Sequence, residues 1–112
     1  MSDSSFQRLY HNPRCSKSRE ALTLLDGQTL DIKLYLENPP SKEELLHLFK
    51  HYDGPASDFL RSKEAKEFAF DGNFEAANLA SFLSAHPKAL QRPILVRNNS
   101  VIIARPPELV RS

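Results

Sequence analysis

Apolar side chains occupy every second position from Leu30 to Leu36, which is the pattern of a β-strand with one apolar face. A weaker alternation from Phe6 to Tyr10 predicts another strand. Between them, residues 16–25 place apolar side chains on one helical face, and Gly27 marks the end of that helix. Strand, helix and strand in this order predict a βαβ unit with parallel strands and a right-handed crossover.

The middle third of the chain, about residues 41–86, has the pattern of several helices. Ser41 followed by Glu44 has the spacing of a capping box at a helix start. Residues 75–85 are rich in alanine and leucine and predict a further helix. We expect this segment to be a helical insertion between the two halves of a small sheet, not a second domain.

The last third predicts a hairpin and then a helix. The apolar runs Ile94–Arg97 and Val101–Ala104 flank an asparagine-rich turn, and Pro106 and Pro107 open the final helix. We therefore predict one domain over residues 1–112, of the α/β class, with a mixed four-stranded sheet flanked by helices. The order βαβ, helices, ββα is that of a thioredoxin-like sheet, although periodicity alone also allows other α/β sandwiches.

Composition excludes several kinds of protein. The single cysteine rules out an intramolecular disulfide, and the four histidines lack the spacing of a metal motif, so we expect no metal and no bound cofactor. A net charge of +1 gives no reason to expect nucleic acid. No apolar run is long enough to span a bilayer, so we expect no membrane association. We predict a cytoplasmic monomer, in a compartment where a free thiol stays reduced.

The cysteine is the first candidate for chemistry. Cys15 lies in the predicted strand-to-helix loop, where the unpaired N–H groups and the dipole of a helix favour a negative charge. Basic residues surround it, with no acid between Asp3 and Glu20. These features predict a reactive thiolate. The alternative is an inert cysteine that only fills space in the core.

Three arginines could hold an oxyanion against that sulfur. Arg61 lies in the helical segment, Arg92 just before a predicted strand and Arg105 just after one. Guanidinium groups keep their charge and bind oxyanions with forked donors. Each arginine alone could equally be a solvated surface charge, so convergence on Cys15 is the feature that would matter.

The loop His11–Arg19 resembles the active-site loop of the glutaredoxin-coupled arsenate reductase family. Three later segments match that family in order and position, so the similarity covers residues 8 to about 110: Phe59-Leu60-Arg61, Gln91-Arg92-Pro93-Ile94 and Arg105-Pro106-Pro107-Glu108. The resemblance implies a thioredoxin fold with a helical insertion.

It also implies a reaction. The Cys15 thiolate would attack arsenate to form a thiol–arsenic adduct, with Arg61, Arg92 and Arg105 as the oxyanion ligands. Glutathione, as co-substrate, would attack the adduct, and glutaredoxin would resolve the resulting mixed disulfide as arsenite leaves. The resemblance assigns supporting roles to five more residues: His11, Asn12, Ser18, Arg19 and Pro93. Within this set, the Ser18 hydroxyl would donate to the sulfur, and Pro93 would be a cis-proline beside the site.

This sequence departs from the family pattern at two places. The loop reads Cys15-Ser16-Lys17-Ser18, whereas well-studied members have Cys-Gly-Thr-Ser, and the chain looks closer to a branch whose substrate is not settled. Ala104 replaces the glycine that usually precedes the last arginine, and its methyl group is expected to tighten the approach of Arg105.

Two other functions fit the same residues. The C-x-x-S form of the loop suits a monothiol oxidoreductase that acts on glutathione mixed disulfides, or an enzyme that handles another oxyanion. A non-enzymatic regulator that binds RNA polymerase has the same fold, but it uses a C-x-x-C pair. Ser18 stands where the second cysteine of that pair would be, so this third function is the least favoured.

Overall fold

The computed structural model describes residues 7–111, so Phe6 of the predicted first strand lies outside the described residues. The chain divides into two compact units. Unit 1 comprises Met1–Tyr35 and Arg92–Ser112, and unit 2 is the continuous segment Leu36–Gln91. The predicted helical insertion falls within unit 2, while the single domain over residues 1–112 stays a prediction.

Unit 1 contains a mixed four-stranded sheet. Its elements are β1 (Gln7–His11), α1 (Ser16–Leu24), β2 (Asp31–Leu34), β3 (Ile94–Arg97), β4 (Ser100–Ile103) and a 3₁₀ helix (Pro107–Arg111). The strand order is β2-β1-β3-β4. Strand β1 is parallel to β2 and antiparallel to β3, and β4 is antiparallel to β3. This arrangement confirms the predicted fold class, whereas the predicted last helix is a short 3₁₀ helix.

The core of unit 1 lies where α1 and the C-terminal 3₁₀ helix pack together with the sheet. Its buried residues are Leu9, Ala21, Leu25, Leu95, Ala104 and Val110. Ala104 is fully buried in this cluster. Its methyl group therefore fills the core, which is a different role from the predicted contact with Arg105.

Strand β2 differs from its prediction because it is the edge strand of the sheet. The side chains expected to share one apolar face are largely accessible, with Ile32 45% exposed and Leu36 38% exposed. Tyr35, on the opposite face of the predicted strand, is fully buried. A strand pattern predicts which side chains share a face, but burial also depends on the neighbours of the strand.

The predicted hairpin is confirmed. Strands β3 and β4 are joined by a two-residue turn, Asn98-Asn99, and pair antiparallel from Ile94 to Ile103. Asn98 has a φ of 56°, a conformation that asparagine tolerates better than most residues. The hairpin places the start of β3 and the end of β4 at the same end of the sheet.

Unit 2 is helical. Its elements are α2 (Lys42–Lys50), a 3₁₀ helix (Ala56–Phe59), α3 (Ser62–Glu67), α4 (Ala76–Ala85) and a 3₁₀ helix (Pro87–Ala89). Helix α2 begins at the predicted cap, where the Ser41 hydroxyl accepts a hydrogen bond from the Glu44 N–H at 3.1 Å. The helices bury an apolar core of their own: Leu45, Leu48, Phe59, Leu79 and Leu83. None of the helices within residues 7–111 is long and apolar enough to cross a membrane.

Candidate active site

Cys15 is the N-cap residue of α1, with extended backbone angles of φ −97° and ψ 122°. Its N–H donates to the Asn12 carbonyl at 3.0 Å, and its carbonyl accepts from the Arg19 N–H at 3.0 Å. The first bond closes the loop after β1 and the second begins the helix. These contacts confirm the predicted position of Cys15 at the start of a helix, with a side chain that is neither fully buried nor fully exposed.

The Cys15 thiol is more acidic than an ordinary cysteine. Burial alone would raise its pKa, but the backbone N–H groups of Ser18 and Lys17 and the Arg92 guanidinium outweigh that effect, so its pKa is lowered. Two of the nearby cations are engaged elsewhere, because Arg8 pairs with Asp31 at 2.6 Å and Lys17 faces Glu20 at 3.7 Å. The positive charge beside the sulfur therefore comes from Arg92, far along the chain.

The Ser18 hydroxyl is hydrogen-bonded to His11 and Asn12 and not to the Cys15 sulfur, which corrects the prediction. Its Oγ lies 2.7 Å from His11 Nδ1 and accepts a hydrogen bond from the Asn12 N–H at 3.0 Å. Ser18 is fully buried, and His11 and Asn12 are nearly so. Ser18 thus ties the end of β1 to the first turn of α1, and only its backbone N–H acts on the Cys15 thiol.

His11 is held in its neutral form. Burial lowers its pKa, and the charge of Arg19 lowers it further. The Ser18 Oγ accepts from the Asn12 N–H and also shares a 2.7 Å hydrogen bond with His11 Nδ1, whose donor depends on the imidazole tautomer. The imidazole therefore supports the loop through this hydrogen bond and places no positive charge near the thiol.

The remaining loop residues fix the path of the backbone. Asn12 Oδ1 accepts from the Arg14 N–H at 3.0 Å, which is an Asx turn. Arg19 Nη1 donates to the Pro13 carbonyl at 2.9 Å. These contacts give Asn12 and Arg19 supporting positions in the loop, although their functional role stays a prediction.

The sheet brings two of the three predicted arginines together. Arg105 Nη1 donates to the Arg92 carbonyl at 2.9 Å, because Arg92 precedes β3 and Arg105 follows its hairpin partner β4. The Arg92–Pro93 peptide bond is cis, as predicted, and the Arg105–Pro106 bond is also cis, which was not predicted. Arg92, whose guanidinium acts on Cys15, is partly buried and Arg105 is exposed.

Arg61, the third predicted oxyanion ligand, belongs to unit 2, where it is the N-cap residue of α3. Its Nε contacts Glu64 Oε1 at 3.1 Å, and its Nη1 donates to Gln91 Oε1 at 3.2 Å. Sequence reasoning missed both partners. The spacing of Glu64, three residues after Arg61 in a helix, could have revealed the first, but nothing in the sequence links Arg61 to Gln91.

The assembled part of the site is an acidic thiol at a helix start beside a guanidinium group. Such an arrangement can attack an electrophile and hold an anion next to the sulfur. Among residues 7–111, no three His, Cys, Asp or Glu side chains are grouped as a metal ion would require.

Comparison with known proteins identifies the family. The model of the ArsC family matches residues 10–112, which is nearly the whole chain. The chain belongs to the ArsC family.

Individual relatives align with this ArsC-family chain over almost the full length of both proteins. It is 40% identical to the uncharacterized protein YfgD of Escherichia coli, with 92% of each chain aligned. It is 35% identical to an arsenate reductase of Neisseria meningitidis, over 94% of this chain and 95% of the relative. Among solved structures, an arsenate reductase from Vibrio cholerae matches with a TM-score of 0.88 and 36% identity, over 97% of this chain and 98% of that one.

Proposed function

We propose that this ArsC-family protein reduces arsenate to arsenite, with Cys15 as the nucleophile. The observation that carries the proposal is the Cys15 thiol at the start of α1, whose pKa is lowered by two backbone N–H groups and Arg92. Relatives that bear the name arsenate reductase align over more than nine-tenths of the chain.

The first step is attack of the Cys15 thiolate on arsenic. A sulfur–arsenic bond forms, and one arsenate oxygen leaves as water after protonation. Arg92 and Arg105 hold the remaining oxygens, since guanidinium groups stabilise negative charge as it moves during the reaction. Arg61 is the third proposed oxyanion ligand, in keeping with the family motif around it.

The following steps need two electrons from outside the protein. A glutathione thiol displaces a second arsenic oxygen as water and forms another sulfur–arsenic bond. A glutaredoxin thiol then attacks the glutathione sulfur, and the electron pair of that sulfur–arsenic bond passes to arsenic, reducing As(V) to As(III). Hydrolysis of the remaining bond releases arsenite and Cys15, and glutathione leaves in a mixed disulfide with glutaredoxin. We also propose that the protein acts in the cytoplasm, where a free thiol stays reduced, and as a monomer.

The decisive experiment measures arsenate turnover with glutathione, glutaredoxin and a glutathione-reducing system. The Cys15→Ser variant is expected to lose turnover completely, because a hydroxyl does not ionise at neutral pH. Ser81→Ala, which changes an exposed serine on α4, is the control and keeps full turnover. Full turnover by Cys15→Ser would exclude the proposal.

A disulfide-exchange assay on the same protein distinguishes arsenate reduction from the function of a monothiol oxidoreductase. The fourth residue of the C-x-x-S loop is Ser18, which has no thiol, so Cys15 would act in disulfide exchange without a second cysteine. Exchange activity on a glutathione mixed disulfide that arsenate does not inhibit would favour a monothiol oxidoreductase instead. Inhibition by arsenate would support an oxyanion site at the sulfur.

A further inference from the structure

Each of the three glycines in the chain follows an aspartate, in the pairs Asp26-Gly27, Asp53-Gly54 and Asp71-Gly72. An aspartate–glycine pair can rearrange without an enzyme, because glycine has no side chain to keep its backbone nitrogen away from the aspartate carboxyl carbon. The rearrangement needs a carboxyl group that can turn toward that nitrogen and a backbone that can follow. The surroundings of the three pairs therefore determine which of them reacts.

In the pair Asp71-Gly72 the carboxylate is held by hydrogen bonds. Asp71 Oδ1 accepts from the Asn73 N–H at 2.9 Å and from Asn78 Nδ2 at 3.0 Å. The first bond is an Asx turn, and the second ties the carboxylate to α4. Both bonds must break before the carboxyl carbon can reach the Gly72 nitrogen, so they protect this pair.

In the pair Asp53-Gly54 the backbone is held by packing. A Cβ atom at Gly54 would lie 2.8 Å from a ring carbon of Tyr52, so this ring packs directly against the glycine. The ring is itself fixed, because the Tyr52 hydroxyl donates to Asp58 at 2.6 Å and the ring centroid lies 4.9 Å from that of Phe59. Pro55 follows and further restricts Gly54. The backbone of this pair cannot turn without displacing the ring.

The pair Asp26-Gly27 lies in the exposed turn after α1 and has neither restraint. The Asp26 side chain forms no hydrogen bond or ion pair with the other residues in the range 7–111, and the Gly27 N–H has no acceptor there. Gly27 has a φ of 85°. Apart from its chain neighbours, no atom lies within 4 Å of the place that a Cβ atom would take. The carboxyl group and the backbone nitrogen are therefore both available for reaction.

We propose that Asp26-Gly27 is a site of spontaneous modification, at which the folded protein converts aspartate to isoaspartate. The Gly27 nitrogen attacks Cγ of the protonated Asp26 side chain, and the carboxyl hydroxyl leaves with the amide proton as water. Water then adds to the main-chain carbonyl carbon of Asp26 in the resulting succinimide and breaks its bond to the Gly27 nitrogen. The chain now continues through Cγ, with no change in mass and no transfer of electrons.

The modification changes the turn that joins α1 to β2. Isoaspartate adds a carbon to the main chain between Leu25 and Gln28, where the Gln28 N–H donates to the Leu25 carbonyl at 3.1 Å. The longer chain cannot keep this bond in its present geometry. The former main-chain carbon becomes an exposed carboxylate, which is the group that a protein carboxyl methyltransferase specific for isoaspartate esterifies. Such a repair enzyme is the class of partner that this site would require.

The test follows all three pairs in one sample of the folded, full-length protein. After incubation for several weeks at neutral pH, peptide mapping by mass spectrometry, with fragmentation that distinguishes isoaspartate from aspartate, measures the modified fraction of each pair. We expect isoaspartate to form at Asp26 roughly fivefold faster than at Asp71, or more, because the Asp71 carboxylate must first lose its hydrogen bonds. Asp26→Glu keeps the charge but requires a less favourable six-membered imide. This variant should abolish isomerisation at that position and leave the other two pairs unchanged.

Two further samples test whether the surroundings set the rates. Asn78→Ala removes one donor from Asp71 and is expected to speed isomerisation there, with no change at Asp26. In protein unfolded by guanidinium chloride the three pairs lose their surroundings, and their rates should become similar. Absence of isoaspartate at Asp26, a faster rate at Asp53 or Asp71, or the same ratio of rates in folded and unfolded protein would overturn the inference.

Discussion

Arg92 is the side chain that acts most directly on the Cys15 thiol. It contributes both a hydrogen bond and its charge, in addition to the backbone N–H groups of Ser18 and Lys17. The Arg92→Ala variant should therefore raise the pKa of the thiol. The pH dependence of alkylation by iodoacetamide measures this change, since only the thiolate reacts.

Arg14→Ala is the matched control for that variant. Arg14 is exposed and lies next to Cys15 in sequence, but its side chain is not among the groups that lower the thiol pKa. We expect an alkylation curve close to that of the wild type. An equal shift in both variants would show that the general basic character of the loop, and not Arg92, makes the thiol acidic.

His11 should make the stability of the protein depend on pH. Burial lowers its pKa in the folded state, so the unfolded chain binds a proton first as the pH falls below about 6.5. Above that pH His11 is neutral in both states and contributes no pH dependence. The free energy of unfolding should therefore decrease on acidification from about pH 7.5 to about pH 5, and the decrease should be smaller in His11→Gln.

Denaturant titrations at these two pH values measure the difference between the proteins. The comparison uses the change with pH within each protein, so any loss of stability that is common to both pH values cancels. An identical pH dependence in the wild type and His11→Gln would contradict a depressed pKa for His11.

Among the elements, α2 offers the clearest test of local structure. The Ser41 hydroxyl accepts from the Glu44 N–H, one of the N–H groups that have no partner within the helix. Ser41→Ala should lower the free energy of unfolding by about 1 kcal/mol. Chemical denaturation measures this loss, and Ser81→Ala, within α4, should change stability by less than about 0.5 kcal/mol.

Several elements follow from the sequence because their signals are local. The cap of α2, the turn at Asn98 and the start of α1 at Cys15 each depend on residues within a few positions of one another. The exposure of Ile32 could not be predicted in this way. Alternation specifies which side chains share a face of β2, but its position at the edge depends on pairing with the rest of the sheet.

The candidate site likewise has features that could be predicted from the sequence and features that depend on how the chain packs. Cys15 and the cis bond before Pro93 were predicted, the first from its local setting and the second from the resemblance. The predicted hydrogen bond from the Ser18 hydroxyl to the Cys15 sulfur was wrong. The hydroxyl is bonded to the buried imidazole of His11 instead, and this pairing depends on how β1 and α1 pack. Spacing along the chain alone could not have identified the contact between Arg105 and the Arg92 carbonyl.

At the scale of the whole molecule, we expect the buried core of the unit 1 sheet to contribute more to the free energy of unfolding than its edge strand. Leu95 lies on the central strand β3 and is fully buried. Leu95→Ala is expected to cost about 2–5 kcal/mol, since it removes buried methyl groups and leaves a cavity. Ile32→Ala, on the edge strand, should cost less than about 1.5 kcal/mol because Ile32 is already 45% exposed. Thermal or denaturant unfolding measures both, and equal losses would contradict the observed burial.

Unit 1 is built from two segments that are separated in sequence by the whole of unit 2. During translation, β1 therefore leaves the ribosome well before its antiparallel neighbour β3. The loop that carries Cys15 must wait for the second segment before Arg92 can reach the sulfur. A nascent chain that stalls before Arg92 can lower the thiol pKa only through the backbone N–H groups of Ser18 and Lys17.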